Sequence, residues 1–175
     1  NAGMGTYLED GATPTLNVGT NNVTLANSFA LGDSRMKTGG IIKRGTGTLT
    51  IGGSQDYRGE TVIQEGTLAT SAANLIGDLS RILVGTNATF RTGGNEEIYQ
   101  SILNSGVVNI QNNWFGSGKD GRSVVQTGQF IGGTNSVLAK YGVGKWILTG
   151  SNNLLGGTDI EAGILSIDSL NKIGG

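Results

Sequence analysis

The sequence predicts an all-β solenoid, a single-stranded parallel β-helix with coils of roughly 19–22 residues. Three observations predict it. A stretch of 36 residues occurs twice without gaps, starting at Lys43 and again 97 positions later at Lys140. Thirteen aligned positions are identical, six of them glycine, among them Lys43/Lys140, Gly45/Gly142, Gly47/Gly144, Gly66/Gly163 and Leu68/Leu165. A shorter pattern also recurs: Gly, any residue, apolar, any residue, then apolar or Thr. It reads Gly47–Ile51, Gly66–Thr70, Gly106–Ile110, Gly144–Leu148 and Gly163–Ile167. Finally, no segment sustains a 3.6-residue period over about 11 residues, whereas period-two alternation is frequent.

Taken along the chain, the elements are strand, tight turn, strand. Asn21–Leu25 is a partial copy of the short pattern with Asn where the others have Gly. Asn is the next most tolerant residue of a left-handed backbone. The glycine marks at 47, 66, 106, 144 and 163 are 19, 40, 38 and 19 residues apart. The long gaps are near twice the short ones, with Asn87 and Gly128 close to the missing marks, so one coil takes one short gap. Gly47, Gly66, Gly106, Gly144 and Gly163 are read as structural turns where a Cβ would be resisted. After each, alternate side chains face inward. Apolar residues stand three before three of the glycines, at Ile63, Leu103 and Ile160. The inward set is therefore Ile63, Leu68, Leu103, Val108, Ile110, Ile160, Leu165 and Ile167. Ser71–Leu75 suits a single turn, and Asn95–Leu103 is the best, though short, helical candidate. The chain reads as one continuous segment, 1–175, of a longer protein. The first repeat copy spans 43–78, an interval 79–139, and a truncated second copy 140–175. A β-sandwich or barrel also uses short alternating strands, but neither requires Gly at a fixed coil-length spacing.

Composition narrows the function. The 175 residues hold 32 Gly, one Pro, no Cys and no His, with a net charge of −1. The 36% apolar content and regular alternation argue against a disordered linker. Without Cys there is neither a disulfide framework nor a thiolate metal site. Without His the commonest general base and transition-metal ligand are missing. No basic field points to nucleic acid, and no run approaches the ~20 apolar residues of a membrane helix. No cofactor and no metal site is expected.

At the repeat the sequence resembles passenger domains of bacterial autotransporters, the type V secretion family. Their repeat runs K-x-G-x-G-x-L-x-L-x-G-x-N-x-Y-x-G-x-T-x-V-x-x-G-x-L-x-L. Lys43, Gly45, Gly47, Leu49, Ile51, Gly53, Tyr57, Gly59, Thr61, Ile63, Gly66 and Leu68 follow it. Lys140, Gly142, Gly144, Trp146, Leu148, Gly150, Gly156, Thr158, Ile160, Gly163, Leu165 and Ile167 follow it again. The first copy has Gln55 where the family has Asn; the second has Asn152 there and Leu154 at the Tyr position. The resemblance implies a right-handed β-helix, passed through the periplasm and outer membrane and displayed at the surface of a Gram-negative bacterium. It also implies a C-terminal membrane β-barrel elsewhere in the same precursor. Such repeats sit in the stem and are taken to aid folding and secretion. Roughly eight coils at ~4.8 Å each would make a spacer ~40 Å long.

Three functions therefore compete: a stem, a binding module that meets host ligands or sister passengers, and a polysaccharide-cleaving β-helix enzyme. The enzyme needs clustered carboxylates on adjacent coils. Asp159 and Glu161 alternate and share a face, but as solvated positions flanking the core residue Ile160. The side chains of Glu96–Glu97 and Glu9–Asp10 would diverge in a strand. Gly116–Gly121 resembles a calcium-binding repeat loop only faintly, with a lone Asp120 beside Lys119. Gly142-Val143-Gly144-Lys145 fails the phosphate-loop spacing, and Trp146 stands where Ser or Thr should follow. Arg58-Gly59-Glu60 belongs to the repeat. Trp114 and Phe115 are the candidate ligand contacts, because two adjacent aromatics cannot both point inward from a strand. The reading is non-enzymatic, with an evenly polar stem first and an aromatic contact face second.

Overall fold

Alternating side chains and glycine corners produce stacked parallel strands. The structure is a computed structural model and describes residues 7–8, 11–26, 32–33, 38–55, 57–98 and 100–167. Among them there is no helix, and every strand pair is parallel. The chain winds around three faces. The first face carries Thr15–Asn17, Ile41–Arg44, the first halves of Glu60–Thr70 and Arg81–Arg91, Ser101–Asn104, Val124–Gln126, Lys145–Leu148 and Ile164–Ile167. The second carries Val23–Leu25, Thr48–Ile51, the second halves of the same two long strands, Val107–Gln111, Gln129–Gly132 and Asn153–Leu154. The third begins higher, with Glu96–Ile98, Trp114–Ser117, Val137–Lys140 and Gly157–Ile160. A short pair, Tyr7–Leu8 with Gly32–Asp33, lies apart.

Register gives the coil length directly. On the first face Ile42 pairs with Val62, Val62 with Leu83, and Leu83 with Leu103, steps of 20, 21 and 20 residues. Between Thr15 and Ile42 the step is 27. One step on this face has no strand ladder, only the Gly128 amide donating to the Asn104 carbonyl at 2.9 Å. There the buried Gln126 bridges the coils instead: its Nε2 donates to the Ile102 carbonyl at 2.8 Å, and its Oε1 accepts from the Asn104 amide at 2.7 Å.

The repeat period is not a whole number of coils. Lys43 lies on the first face and Lys140 on the third, four full turns and two faces further on. The same 36 residues therefore build a corner between first and second faces in copy one, and between third and first in copy two. One repeat sequence thus serves two different corners.

The core is a column of fully buried side chains, among them Ile41, Leu49, Ile63, Leu68, Ile82, Phe90, Val108, Ile110, Phe115, Phe130, Leu138, Trp146 and Leu148. Each such Leu, Ile or Phe contributes about 1.5–3 kcal/mol by leaving water. Phe130 stacks on Trp146 at 6.4 Å between ring centroids, and Phe90 meets Phe115 edge-on at 6.3 Å. Of the expected inward set, Ile63, Leu68, Val108 and Ile110 are fully buried, while Leu165 and Ile167 are half-buried against the core.

Three expectations need correction. Asn95–Leu103 is not helical; it contains the strands Glu96–Ile98 and Ser101–Asn104, because neighbouring coils pair with them. Leu103 points outward and is 38% exposed, while its neighbour Ile102 fills the core. Ile160 is 50% exposed. It sits in register with the buried Lys140 on the last described strand of its face, so no described coil covers it. Glu9 and Asp10, and the second-copy positions Asn171, Ile173 and Gly174, lie outside the described residues.

Candidate functional site

The one charged residue identical in both repeat copies turns inward. Lys43 and Lys140 are fully buried. An ammonium has three donors and no acceptor, and Lys43 Nζ donates to the carbonyls of Gly45, Gly47 (2.6 Å) and Glu65 (2.8 Å). Lys140 Nζ donates to Tyr141 (3.1 Å), Gly142 (2.9 Å) and Ala162 (2.8 Å). Glu65 and Ala162 are equivalent repeat positions one coil later, so each lysine ties two successive corners together. Desolvation pulls both lysine pKa values below their ordinary range; for Lys43, the Glu65 charge opposes the shift.

The glycines make room for this. Gly66 and Gly163 have φ of 67° and 73°, and a Cβ at either would run into the lysine Nζ and the carbonyl of a neighbouring-coil glycine. Gly47, Gly106 and Gly144 also stand at corners but are not left-handed. Their constraint is close approach, since a Cβ there would overlap the carbonyls of Asn21, Gly85 and Arg122 respectively. The neighbouring repeat positions play matching parts. Gln55 and Asn152 are both buried and donate to the Gly53 and Gly150 carbonyls, at 2.6 and 3.2 Å. Tyr57 is buried with its hydroxyl 2.6 Å from Thr61 Oγ1, and Leu154 fills the equivalent place. Burial raises the Tyr57 pKa, and the Glu96 charge adds to the rise.

The two aromatic candidates separate. Phe115 is in the core and meets no ligand from there. Trp114 faces out, half-buried, edge-on to Tyr141 at 5.8 Å, and Lys119 Nζ lies 4.6 Å from the Tyr141 ring centroid. The two rings overhang Gly116, where they fill the space a side chain would take. Ala139, in register with Gly116, is buried although it faces outward. Tyr141 is not marked out by the sequence; register sets Trp114 beside Val137, and it is the lean of both rings over Gly116 that brings Tyr141 to Trp114.

The carboxylates do not gather. Asp159 and Glu161 are exposed. Asp120 pairs with Arg122 at 3.3 Å. Among the described residues no group of three metal-capable side chains comes together. Glu96 is buried: desolvation pushes its pKa up to about 8, against the amides of Ile76, Asn74 and Leu75, which favour the charged form. No amide reaches its carboxylate with hydrogen-bond geometry. Nearby an open cleft of about 370 Å³ is lined by Ser54, Tyr57, Arg58, Asn74 and Asp78. Among the described residues Asp78 is the one carboxylate lining it, where acid–base cleavage of a glycosidic bond uses two.

Comparison with known proteins agrees with the repeat. The family described as Passenger-associated-transport-repeat matches residues 41–69 and 138–167. The chain is also 33% identical over 130 residues to the adhesin BmaC autotransporter of Brucella suis biovar 1 (strain 1330). That alignment takes in 70% of this chain but 4% of the relative, so the chain spans a small part of that protein's length. No solved structure matches.

Proposed function

We propose that this chain, an autotransporter passenger segment carrying two passenger-associated transport repeats, serves as a stem that folds and stiffens the displayed passenger. The passenger is a secreted, surface-exposed part of an outer-membrane protein. The observation that carries the stem reading is the pair of buried lysines. Each repeat uses the charge common to both copies to join two coils, and the chemistry is the same on different faces. Such a device secures a coil wherever it falls and recognises nothing outside. The role is non-enzymatic, and the precursor supplies a C-terminal membrane β-barrel as translocator.

The test is a Lys43→Met, Lys140→Met pair in the full precursor. Surface display and protease resistance of the passenger should fall, while ligand attachment per displayed molecule stays level. Unchanged display with lost attachment would sink the stem reading. A second reading, an adhesin contact surface, is favoured by the Trp114–Tyr141 pair and by the relative's description as an adhesin. Under it, Trp114→Ala leaves display and melting intact and lowers attachment; level attachment ends it.

A further inference from the structure

A sheet with one face in water alternates apolar-in and polar-out, whereas near-continuous apolar runs mark strands covered on both sides. The first face departs from the first kind at one position per strand, where an apolar residue points outward between polar, charged or glycine ones. Beside the inward residues stand outward Ile42, Val62, Leu83, Leu103, Val125 and Ile147, one per coil. Register links Ile42 to Val62, Leu83 and Leu103, and Val125 to Ile147. The Gln126 bridge aligns Leu103 with Val125. The upper part forms a ridge, with Leu103 38% and Val125 47% exposed. The lower part is a groove of about 240 Å³ beside Val62 and Leu83 and walled above by Leu103, where Gly85 and Ser105 leave space.

We propose that this face docks a second copy of the chain, the two solenoids lying antiparallel about a two-fold axis along the strand direction. An isologous contact must be self-complementary, and this one is. Antiparallel stacking sets Leu103 against the partner's Leu83, Val125 against its Val62, and Ile147 against its Ile42, ridge into groove. The borders agree as well. Two residues before and after the stripe, Arg44 then faces Thr149, Glu60 faces Ser123, Arg81 faces Ser101 and Lys145 faces Gly40. Each of these border charges meets a small uncharged residue on the other copy, and no like charges oppose. Six residues at ~4.8 Å spacing, with a border two residues wide on each side, cover roughly 350 Å² per partner. A standard stable interface buries about 800 Å² per partner, so the association is weak and reversible. The proposal is independent of the stem reading, because the face is the same whatever the passenger carries.

Sedimentation equilibrium of the 175-residue chain up to about 1 mM should show a monomer–dimer equilibrium. Leu103→Asp and Leu83→Lys, both outward and expected to keep the wild-type melt, should each weaken it by roughly tenfold or more. An equimolar mixture of these two variants should associate again, since the carboxylate introduced at position 103 of one copy would meet the ammonium introduced at position 83 of the other. A mixture of Leu103→Asp with Leu103→Lys should not. A wild-type chain monomeric throughout overturns the proposal and leaves the face to another occupant. Association that survives Leu103→Asp moves the contact elsewhere, for example to the ends of the stack. Rescue by the Leu103→Asp with Leu103→Lys mixture instead would show a parallel pair and equally overturn this one.

Discussion

A buried ammonium is costly unless its donors are met. At Lys43 they are met by three carbonyls. The Gly47 carbonyl has a second donor in the Thr67 amide at 3.2 Å, so losing the ammonium falls hardest on Gly45 and Glu65. Lys43→Met keeps the stem of the side chain and removes the donors. It should cost on the order of 2–4 kcal/mol, from leaving buried carbonyls unmet, measured by denaturant titration. A loss under about 0.5 kcal/mol would mean that water substitutes for the ammonium. Gly66→Val should cost at least as much, because a left-handed backbone and a blocked site coincide there. Thr67→Ser, on the outer side of the same strand, should stay within roughly 0.5 kcal/mol. If Gly66→Val melts with the wild type, the corner is not built as described.

At the scale of the element, two buried polar side chains carry the predictions: Gln126, which stands in for strand pairing, and Glu96, which is buried without a hydrogen-bond partner. Gln126→Leu strands the Ile102 carbonyl and the Asn104 amide, which have no backbone partner across that step. A cost of about 2–4 kcal/mol follows, seen as a melting temperature lower by roughly 5–15 °C. Glu96 makes stability depend on pH. Its folded pKa of about 8 lies above the ordinary 4.5, so the folded state binds the proton more tightly than the unfolded one. Stability is then greatest below about pH 4.5 on this account and declines as pH rises toward 8. Glu96→Gln should flatten that decline and stabilise the chain at pH 8, by on the order of 3 kcal/mol or less once the nearby amides are counted. Equal pH profiles for the two proteins would show that the amides hold the carboxylate charged.

The elements also show what the sequence can and cannot disclose. Coil length, corners and most of the core were legible, because a Gly every coil and period-two alternation leave few other folds. The turn of Leu103 was not. Ile63, Val84 and Asn104 share one inward column, yet they stand three, four and two residues before their corner positions Gly66, Ala88 and Gly106. Corner length varies while strand register does not, so counting back from a glycine fails by one residue, and one residue reverses the face. For Trp114 and Phe115 the sequence required one to point out without saying which; Phe115 is inward, in register with the buried Glu96 one coil below and edge-on to Phe90 across the core. The buried lysines were hidden by the ordinary habit of Lys to stay exposed, although strict recurrence at Lys43 and Lys140 was the available signal.

For the whole molecule, each coil rests on its neighbours alone, so stability is a sum of coil and interface terms rather than one global quantity. That sum is uneven. In the middle, Ile82, Phe90, Ile102, Val108 and Phe115 are fully buried between coils on both sides. Toward the high-numbered end, Leu155, Ile160 and Ile164 are at least half exposed, and Leu165 is only partly covered where its repeat equivalent Leu68 is fully buried. Local opening should follow that gradient. Native-state hydrogen exchange should find the amides of 82–84, 102–104 and 108–110 slowest, with those of 158–160 and 164–167 exchanging first by roughly tenfold or more. The repeats make the comparison internal: Gly163→Val should cost less than Gly66→Val although both glycines are left-handed and both crowd a lysine. No described coil covers Gly163 on its far side, whereas Gly66 lies between described coils on both sides. If the two variants lose equal stability and the exchange rates are level along the stack, the chain melts as a single unit and the nearest-neighbour picture fails.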